Sequence, residues 1–104
     1  MSDSIPVKER HMVVVQFTTA PAEQAEAVQK VGDYVADFLS QQPGFIKSRL
    51  HVSVDGESMV HYAEWESEAD FQAAGALAQD HPDLPALRAY HPKGAGYTVV
   101  RTFP

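Results

Sequence analysis

The feature that most constrains the fold is an Asp-Gly pair between two runs of strand-forming residues. The runs cover residues 45–54 and 58–66, and Asp55-Gly-Glu57 lies between them. An Asp-Gly step flanked by alternating apolar positions is among the strongest short signals for a β-hairpin. The sequence therefore predicts two antiparallel strands joined near the middle of the chain.

The register of this hairpin follows from the loop length, because side chains alternate between the two faces of a strand. A loop of even length places apolar and small side chains on one face: Ile46, Ser48, Leu50, Val52, Met59, His61, Ala63 and Trp65. The other face then pairs basic with acidic side chains: Phe45, Lys47, Arg49, His51, Val60, Tyr62, Glu64 and Glu66. A loop of odd length mixes charges into the apolar face and sets His51 beside His61 as a potential metal pair. We expect the even loop.

The segments on either side complete an alternation of strands and helices. β-Branched residues favour a strand over residues 11–18, and apolar residues at helical spacing favour a helix over 21–42. A capping box that begins at Ser67 starts a second helix, which ends near Asp80. Further along, the sequence predicts a short helix over 84–90, a turn over 92–96 and a strand over 97–103.

This order of elements, β-α-β-β-α-(short α)-β, is typical of the ferredoxin-like α+β fold, in which an antiparallel sheet carries its helices on one face. We expect residues 1–10 to form a flexible leader and 11–104 a single domain. The face without helices bears Phe45, Val60 and Tyr62 among charged side chains. This is a large apolar area for a monomer, so we predict a homodimer in which a second sheet covers it.

Composition excludes several classes of function. Fourteen acidic and eight basic side chains give a net charge of −6 without a basic cluster, which disfavours binding to nucleic acid and to anionic membranes. The chain has no cysteine, which removes thiolate catalysis, iron–sulfur clusters and zinc ribbons. No signal peptide or membrane-length apolar segment is visible, so we expect a cytoplasmic protein. The sequence also lacks flavin, haem and metal-binding motifs, and we expect neither a cofactor nor a metal.

His61 and Trp65 are the candidate catalytic residues. They lie four residues apart on one predicted strand, so both side chains leave the same face, with the small Ala63 between them. Under a roof of helices, the imidazole can accept a proton and the indole N–H can donate a hydrogen bond. The alternative is a core histidine with a structural partner beside a core tryptophan.

Six residues are candidates for contact with a substrate: Leu50, Ala63, Phe38, Phe71, Arg88 and Tyr90. The first two share the face of His61, and the two phenylalanines supply apolar walls from the helices. The arginine and the tyrosine offer a cation and a phenol from the short helix, the alternative for the arginine being a solvated side chain. We expect His11, His81 and His91, at a strand start or beside prolines, to be surface residues.

Several segments resemble the antibiotic biosynthesis monooxygenase family: Gln42-Pro-Gly-Phe45, Leu50-His-Val-Ser-Val-Asp-Gly56, Val60-His-Tyr-Ala-Glu-Trp65, Ser67 and Asp70-Phe71. The resemblance implies a dimeric α+β barrel. One branch of the family contains cofactor-free anthrone oxygenases that tailor aromatic polyketides. In that branch an asparagine and a tryptophan act on substrate and oxygen, and the matching positions here are His61 and Trp65. A haem-degrading branch uses an asparagine and a helix histidine; this chain has no asparagine, and Gly75 stands near the place of that histidine, so we expect no haem degradation.

The resulting hypothesis is a cofactor-independent monooxygenase that converts an anthrone-type polycyclic phenol to a quinone with O2. His61 is the expected base, Trp65 the donor to the oxyanion and Arg88 a weaker candidate for orienting the substrate. Two alternatives use the same scaffold. One is a module that binds a small aromatic ligand without reaction, and the other is an isomerase or cyclase in which His61 moves a proton without oxygen.

Overall fold

Four strands and three α-helices follow the predicted order in the computed structural model, which describes residues 6–104. The elements are β1 (His11–Thr18), α1 (Gln24–Asp37), β2 (Phe45–Val52), β3 (Ser58–Trp65), α2 (Glu68–Ala78), α3 (Leu84–Arg88) and β4 (Lys93–Tyr97). The strands form one antiparallel sheet in the order β2-β3-β1-β4. The ferredoxin-like α+β fold is thereby confirmed.

The helices begin and end where local chemistry favours it. The predicted helix over 21–42 is realised as α1 with a one-turn 3₁₀ helix at each end, Pro21–Glu23 and Leu39–Gln41. Ser67 caps α2 as predicted, because its hydroxyl oxygen accepts a hydrogen bond from the backbone N–H of Asp70 at 3.1 Å. This bond satisfies one of the N–H groups that the first turn of a helix leaves without a partner.

The predicted hairpin register is confirmed over most of its length. Ser48 lies opposite Ala63, Leu50 opposite His61 and Val52 opposite Met59. A β-bulge between Phe45 and Lys47 then shifts the pairing, so that Phe45 lies opposite Trp65. The expectation that Phe45 lies on the face without helices is wrong, because the extra residue of a bulge reverses the alternation of side chains beyond it.

The last strand differs from the prediction. Residues 92–96 were expected to form a turn and 97–103 a strand, but β4 spans Lys93–Tyr97 and pairs with β1 at the edge of the sheet. Gly96 of this segment serves close packing. A Cβ atom on Gly96 would lie 2.7 Å from the ring of His11, whereas one on Gly94 would make an ordinary contact with Val15 at 3.5 Å. Glycine in a strand often marks such a close approach.

Two clusters of buried side chains join the sheet to the helices. The first cluster is formed by Phe17, Ala27, Val31, Met59, Leu87 and Tyr90. The second is formed by Val13, Ala63, Trp65 and Ala74. On β3, His61 lies between Met59 of the first cluster and Ala63 of the second, so the fold places an imidazole where the two apolar clusters meet.

The start of the chain and the open face of the sheet carry a contact that the sequence analysis did not predict. Residues 1–5 of the expected leader lie outside the described residues, and Val7–Glu9 form a 3₁₀ turn. Arg10 is buried, and its guanidinium donates to the Glu64 carboxylate at 2.8 Å.

Within residues 6–104, no helix is both long and apolar enough to cross a membrane.

Candidate active site

His61 is held in the middle of the sheet. Its strand β3 is flanked by β1 and β2, and its Cα partners are Val15 and Leu50. The residue is 5% exposed, and its Nε2 atom is buried with no hydrogen-bond partner in residues 6–104. Burial lowers the pKa of His61 to about 4, because an apolar surrounding disfavours the charged imidazolium. Among residues 6–104, this nitrogen lacks the structural partner that a hydrogen-bonded core histidine would have.

Trp65 projects from the same face and is fully buried. Its ring meets the rings of Phe45 and Phe71 edge-on, at centroid distances of 5.3 and 5.7 Å. Its Nε1 atom is buried without a hydrogen-bond partner among the described residues. Buried polar groups nearly always have partners, so two such nitrogens on one strand are unusual for a purely structural core. Ala63, which is also buried, is a small side chain and leaves room between them.

An apolar cavity of about 230 Å³ separates the sheet from the helices beside His61. Its floor is formed by Val15, Phe17 and His61. Its walls come mainly from the three helices: Val31, Tyr34, Val35, Leu39, Phe71, Gly75, Ala78, Gln79, Leu84, Leu87 and Pro92. An apolar cleft with a few polar groups is the usual form of a small-molecule site, and we take this cavity as the candidate site.

A larger groove, of about 380 Å³, is not assigned as the site. It is lined by Lys47, Ser48, Arg49, His51, Tyr62 and Glu64, on β2 and β3. These side chains are all polar, three of the six are charged, and three of the six are exposed. The smaller cavity contains the buried imidazole and is lined mainly by apolar side chains, and both properties favour proton transfer in a controlled environment.

The structure brings some of the predicted substrate contacts to the cavity. Phe71 lines it and also contacts Trp65, which does not itself line the cavity. Phe38 packs instead against the rings of Tyr34 and His81, at centroid distances of 5.5 and 4.7 Å. Leu50 and Ala63 pack into the two core clusters beside the cavity.

The two candidates near the short helix lie outside the cavity. Arg88 is exposed, and its guanidinium donates to the Gln79 side-chain carbonyl at 3.4 Å. Tyr90 is 5% exposed and belongs to the first core cluster. The predicted alternative for Arg88, a solvated side chain, describes its position better than a substrate contact does. Gln79, which Arg88 contacts, does line the cavity.

The other histidines divide into two groups. His51 lies on the face opposite His61, as predicted, and is exposed. His91 is exposed, which confirms its predicted surface position. His11 and His81 were expected at the surface and are half-buried instead. The ring of His11 lies 5.6 Å from that of Phe71, and His81 packs edge-on against Tyr34 at 5.1 Å. Aromatic neighbours cover both rings, which sequence position alone does not reveal. In the described part of the chain, no three His, Asp or Glu side chains form a group that could hold a metal ion.

Tyr34 and Gln79 are polar cavity residues that the sequence analysis missed. Burial raises the pKa of Tyr34, and its hydroxyl makes no hydrogen bond within residues 6–104. A signal for it was present, because Tyr34 falls three residues after Val31 and so lies on the apolar stripe of α1. Gln79 gave no such signal, because its position depends on α2 ending at Ala78.

Comparisons with known proteins identify the family and agree with the fold. Residues 10–93 match the family described as antibiotic biosynthesis monooxygenase. The tetracenomycin-F1 monooxygenase of Streptomyces glaucescens is 33% identical over 104 residues, covering 99% of this chain and 93% of that protein. SnoaB from Streptomyces nogalater, a cofactor-independent oxygenase, has a TM-score of 0.74 and 30% identity over 92% of this chain and 98% of its own. A monooxygenase from the gene ActVA-Orf6 of Streptomyces coelicolor, solved with nanaomycin D, has a TM-score of 0.77 and 27% identity over 93% of each chain.

Proposed function

The chain belongs to the antibiotic biosynthesis monooxygenase family, and from this premise we propose a cofactor-independent oxidation of an anthrone-type polycyclic phenol to a quinone by O2. Family membership confirms the resemblance seen in the sequence, and the protein is an oxidoreductase. The observation that carries the finer proposal is the buried Nε2 of His61, which lines an apolar cavity without a hydrogen-bond partner among the described residues, together with the unpartnered Nε1 of Trp65 further along the same strand. The aromatic polyketide names of the relatives support a role in the same kind of tailoring.

The cavity suits a flat aromatic substrate. Its lining is apolar apart from His61, Tyr34 and Gln79, so a fused ring system would bury its faces against aliphatic and aromatic side chains. The hydroxyl of Tyr34 comes from α1 and the amide of Gln79 from the residue after α2, and both can donate a hydrogen bond to oxygen atoms at the edge of the rings. These two residues take the orienting role that the sequence suggested for Arg88.

In the proposed reaction, neutral His61 removes a proton from the activated ring CH2 group. The delocalised carbanion gives one electron to O2, and the resulting radical pair combines to form a C–O bond. The peroxide takes a proton from the imidazolium, and loss of the second ring proton then breaks the O–O bond and releases water. One oxygen atom becomes the quinone carbonyl and the other leaves as water, so the two electrons that reduce the peroxide bond come from the substrate carbon.

The electrostatics of the cavity support this order of events. With a pKa of about 4, His61 is neutral near pH 7 and can accept a proton. The imidazolium is poorly solvated there, and the substrate anion formed in the same step stabilises it as an ion pair. Trp65 would donate its N–H to the developing oxyanion, which requires the Phe71 ring to move aside because Phe71 both contacts Trp65 and lines the cavity.

We further propose that the working form is a homodimer. Val14, Val60 and Tyr62 lie on the sheet face without helices and are only half-buried in the single chain. A second copy of that face would cover them and complete a barrel.

The test is oxygen uptake by purified protein with a dithranol-like anthrone in the presence of a chelator. Uptake above the spontaneous rate, unaffected by chelation, is expected. Quenching of the fluorescence of Trp65, the only tryptophan in the chain, without oxygen uptake would identify a binding module instead. Product formation without oxygen would identify an isomerase or cyclase.

A further inference from the structure

Gly75 occupies an unusual place for a glycine. It lies inside α2, where glycine destabilises a helix relative to alanine. A Cβ atom added to Gly75 would meet nothing within 4 Å, so packing does not require a glycine there. The residue lines the cavity beside His61. Because Gly75 lines the cavity, a side chain at this position would extend along the edge of the candidate site.

The side chains of α2 that line the cavity become smaller along the helix. Phe71, Gly75 and Ala78 line the cavity and lie at i, i+4 and i+7, which is one face of a helix. The bulky ring lies over the Trp65 end, and the two small residues lie over the other end. The cavity thus has room beneath the second half of α2.

We propose that Gly75 sets the size limit of the substrate by keeping this end of the cavity open to a ring system of three or more fused rings. The proposal rests on the proposed function only for the identity of the ligand. A methyl group at position 75 would occupy part of the space that the cavity of about 230 Å³ leaves open to ligand atoms. A tricyclic ligand that needs the full length loses contact, whereas a bicyclic ligand retains its place over His61.

Gly32 provides a matched control. It lies inside α1, and a Cβ atom added there also meets nothing within 4 Å. It is not among the residues that line the cavity. Gly32→Ala and Gly75→Ala should both raise the melting temperature by a few degrees, because alanine is the better helix former. Only the substitution at position 75 should change ligand size preference.

The experiment measures binding by quenching of Trp65 fluorescence, with a dihydroxyanthraquinone as tricyclic probe and a hydroxynaphthoquinone as bicyclic probe. For Gly75→Ala, we expect the Kd of the tricyclic probe to rise about 10-fold or more and that of the bicyclic probe to change less than twofold. Gly32→Ala should leave both unchanged. Ala78→Gly, which widens the same end, should tighten binding of a tetracyclic quinone.

Unchanged tricyclic binding in Gly75→Ala, equal weakening of both probes, or the same effect from Gly32→Ala would each overturn the proposal. If Gly75→Ala is poorly folded, the Ala78→Gly result decides, and unaltered tetracyclic binding counts against the proposal. Absence of binding in the wild type also overturns it. Size-dependent binding without oxygen uptake would refute the oxygenase function and leave the role of Gly75 in place.

Discussion

Acidification is expected to destabilise the folded protein through His61. Its pKa is about 4 in the folded state, below the ordinary value of 6.5 that applies to the unfolded chain. A group with a depressed imidazolium pKa binds fewer protons when folded than when unfolded between those two values. The stabilisation from neutral His61 is therefore complete above pH 6.5 and is lost as the pH falls toward 4.

The magnitude follows from the same difference. Lowering the pKa from 6.5 to about 4 corresponds to about 3 kcal/mol in the free energy of unfolding, of which about 2 kcal/mol is lost between pH 7.5 and pH 5. Small domains have a total stability of about 5 to 15 kcal/mol, so the loss is a substantial fraction. Urea titrations followed by Trp65 fluorescence measure it directly, because Trp65 is fully buried and is the only tryptophan.

His61→Asn separates this effect from other titrating groups. Asparagine is polar and does not titrate, so the variant should lose about 2 kcal/mol less than the wild type between pH 7.5 and pH 5. The control is His51→Asn on the exposed face, which should keep the acid sensitivity of the wild type. If wild type and His61→Asn lose the same stability over this range, His61 is not buried in its neutral form, and the reasoning about its charge fails.

Four further outcomes are expected. The kcat/KM of the wild type should be flat from about pH 6 to 8 and fall toward pH 4, and a midpoint near 6.5 would contradict the burial of His61. His61→Ala should lower kcat by roughly 10²-fold or more, measured by oxygen uptake, with His61→Asn showing whether polarity alone suffices. Trp65→Phe should lower kcat with little change in KM, and a change in melting temperature alone would make this residue part of the core. Tyr62→Glu should shift a dimer toward monomer in sedimentation at micromolar concentration, which a monomeric wild type would refute.

Local patterns predicted most of the fold because each element carries its own signal. The strand over residues 11–18 is rich in β-branched side chains, and the hydroxyl of Ser67 caps the helix that follows it. The bulge near Phe45 has no such local signal, because the extra residue depends on how β2 pairs with β3 at Trp65. The glycine-rich sequence of β4 is also typical of a turn. The contact that requires a glycine at position 96 is with the ring of His11 on another strand, so the local sequence does not reveal it.

The candidate site shows the same division between local and distant causes. Strand periodicity was sufficient to place His61 and Trp65 on one face beneath the helices. It was not sufficient for Arg88 and Tyr90, because the rotation of a five-residue helix is set by what it packs against. Leu87 is buried in the core, and because successive side chains of a helix project in different directions, Arg88 does not face the core.

The burial that makes His61 acid-sensitive also restricts which substrates it can serve as a base. An imidazolium with a pKa of about 4 gives up its proton readily, so proton transfer to His61 is uphill unless the product anion remains beside it. An electron-rich polycyclic phenol meets that condition, because its anion is delocalised and flat and fits the apolar cavity without water. A simple aliphatic C–H acid gives a localised anion that this lining, with only Tyr34 and Gln79 as further polar side chains, would leave poorly solvated. A histidine without a partner at position 61 therefore favours substrates whose anions are stabilised by their own delocalisation. For such a substrate, the protein has only to remove the proton that starts the reaction with oxygen.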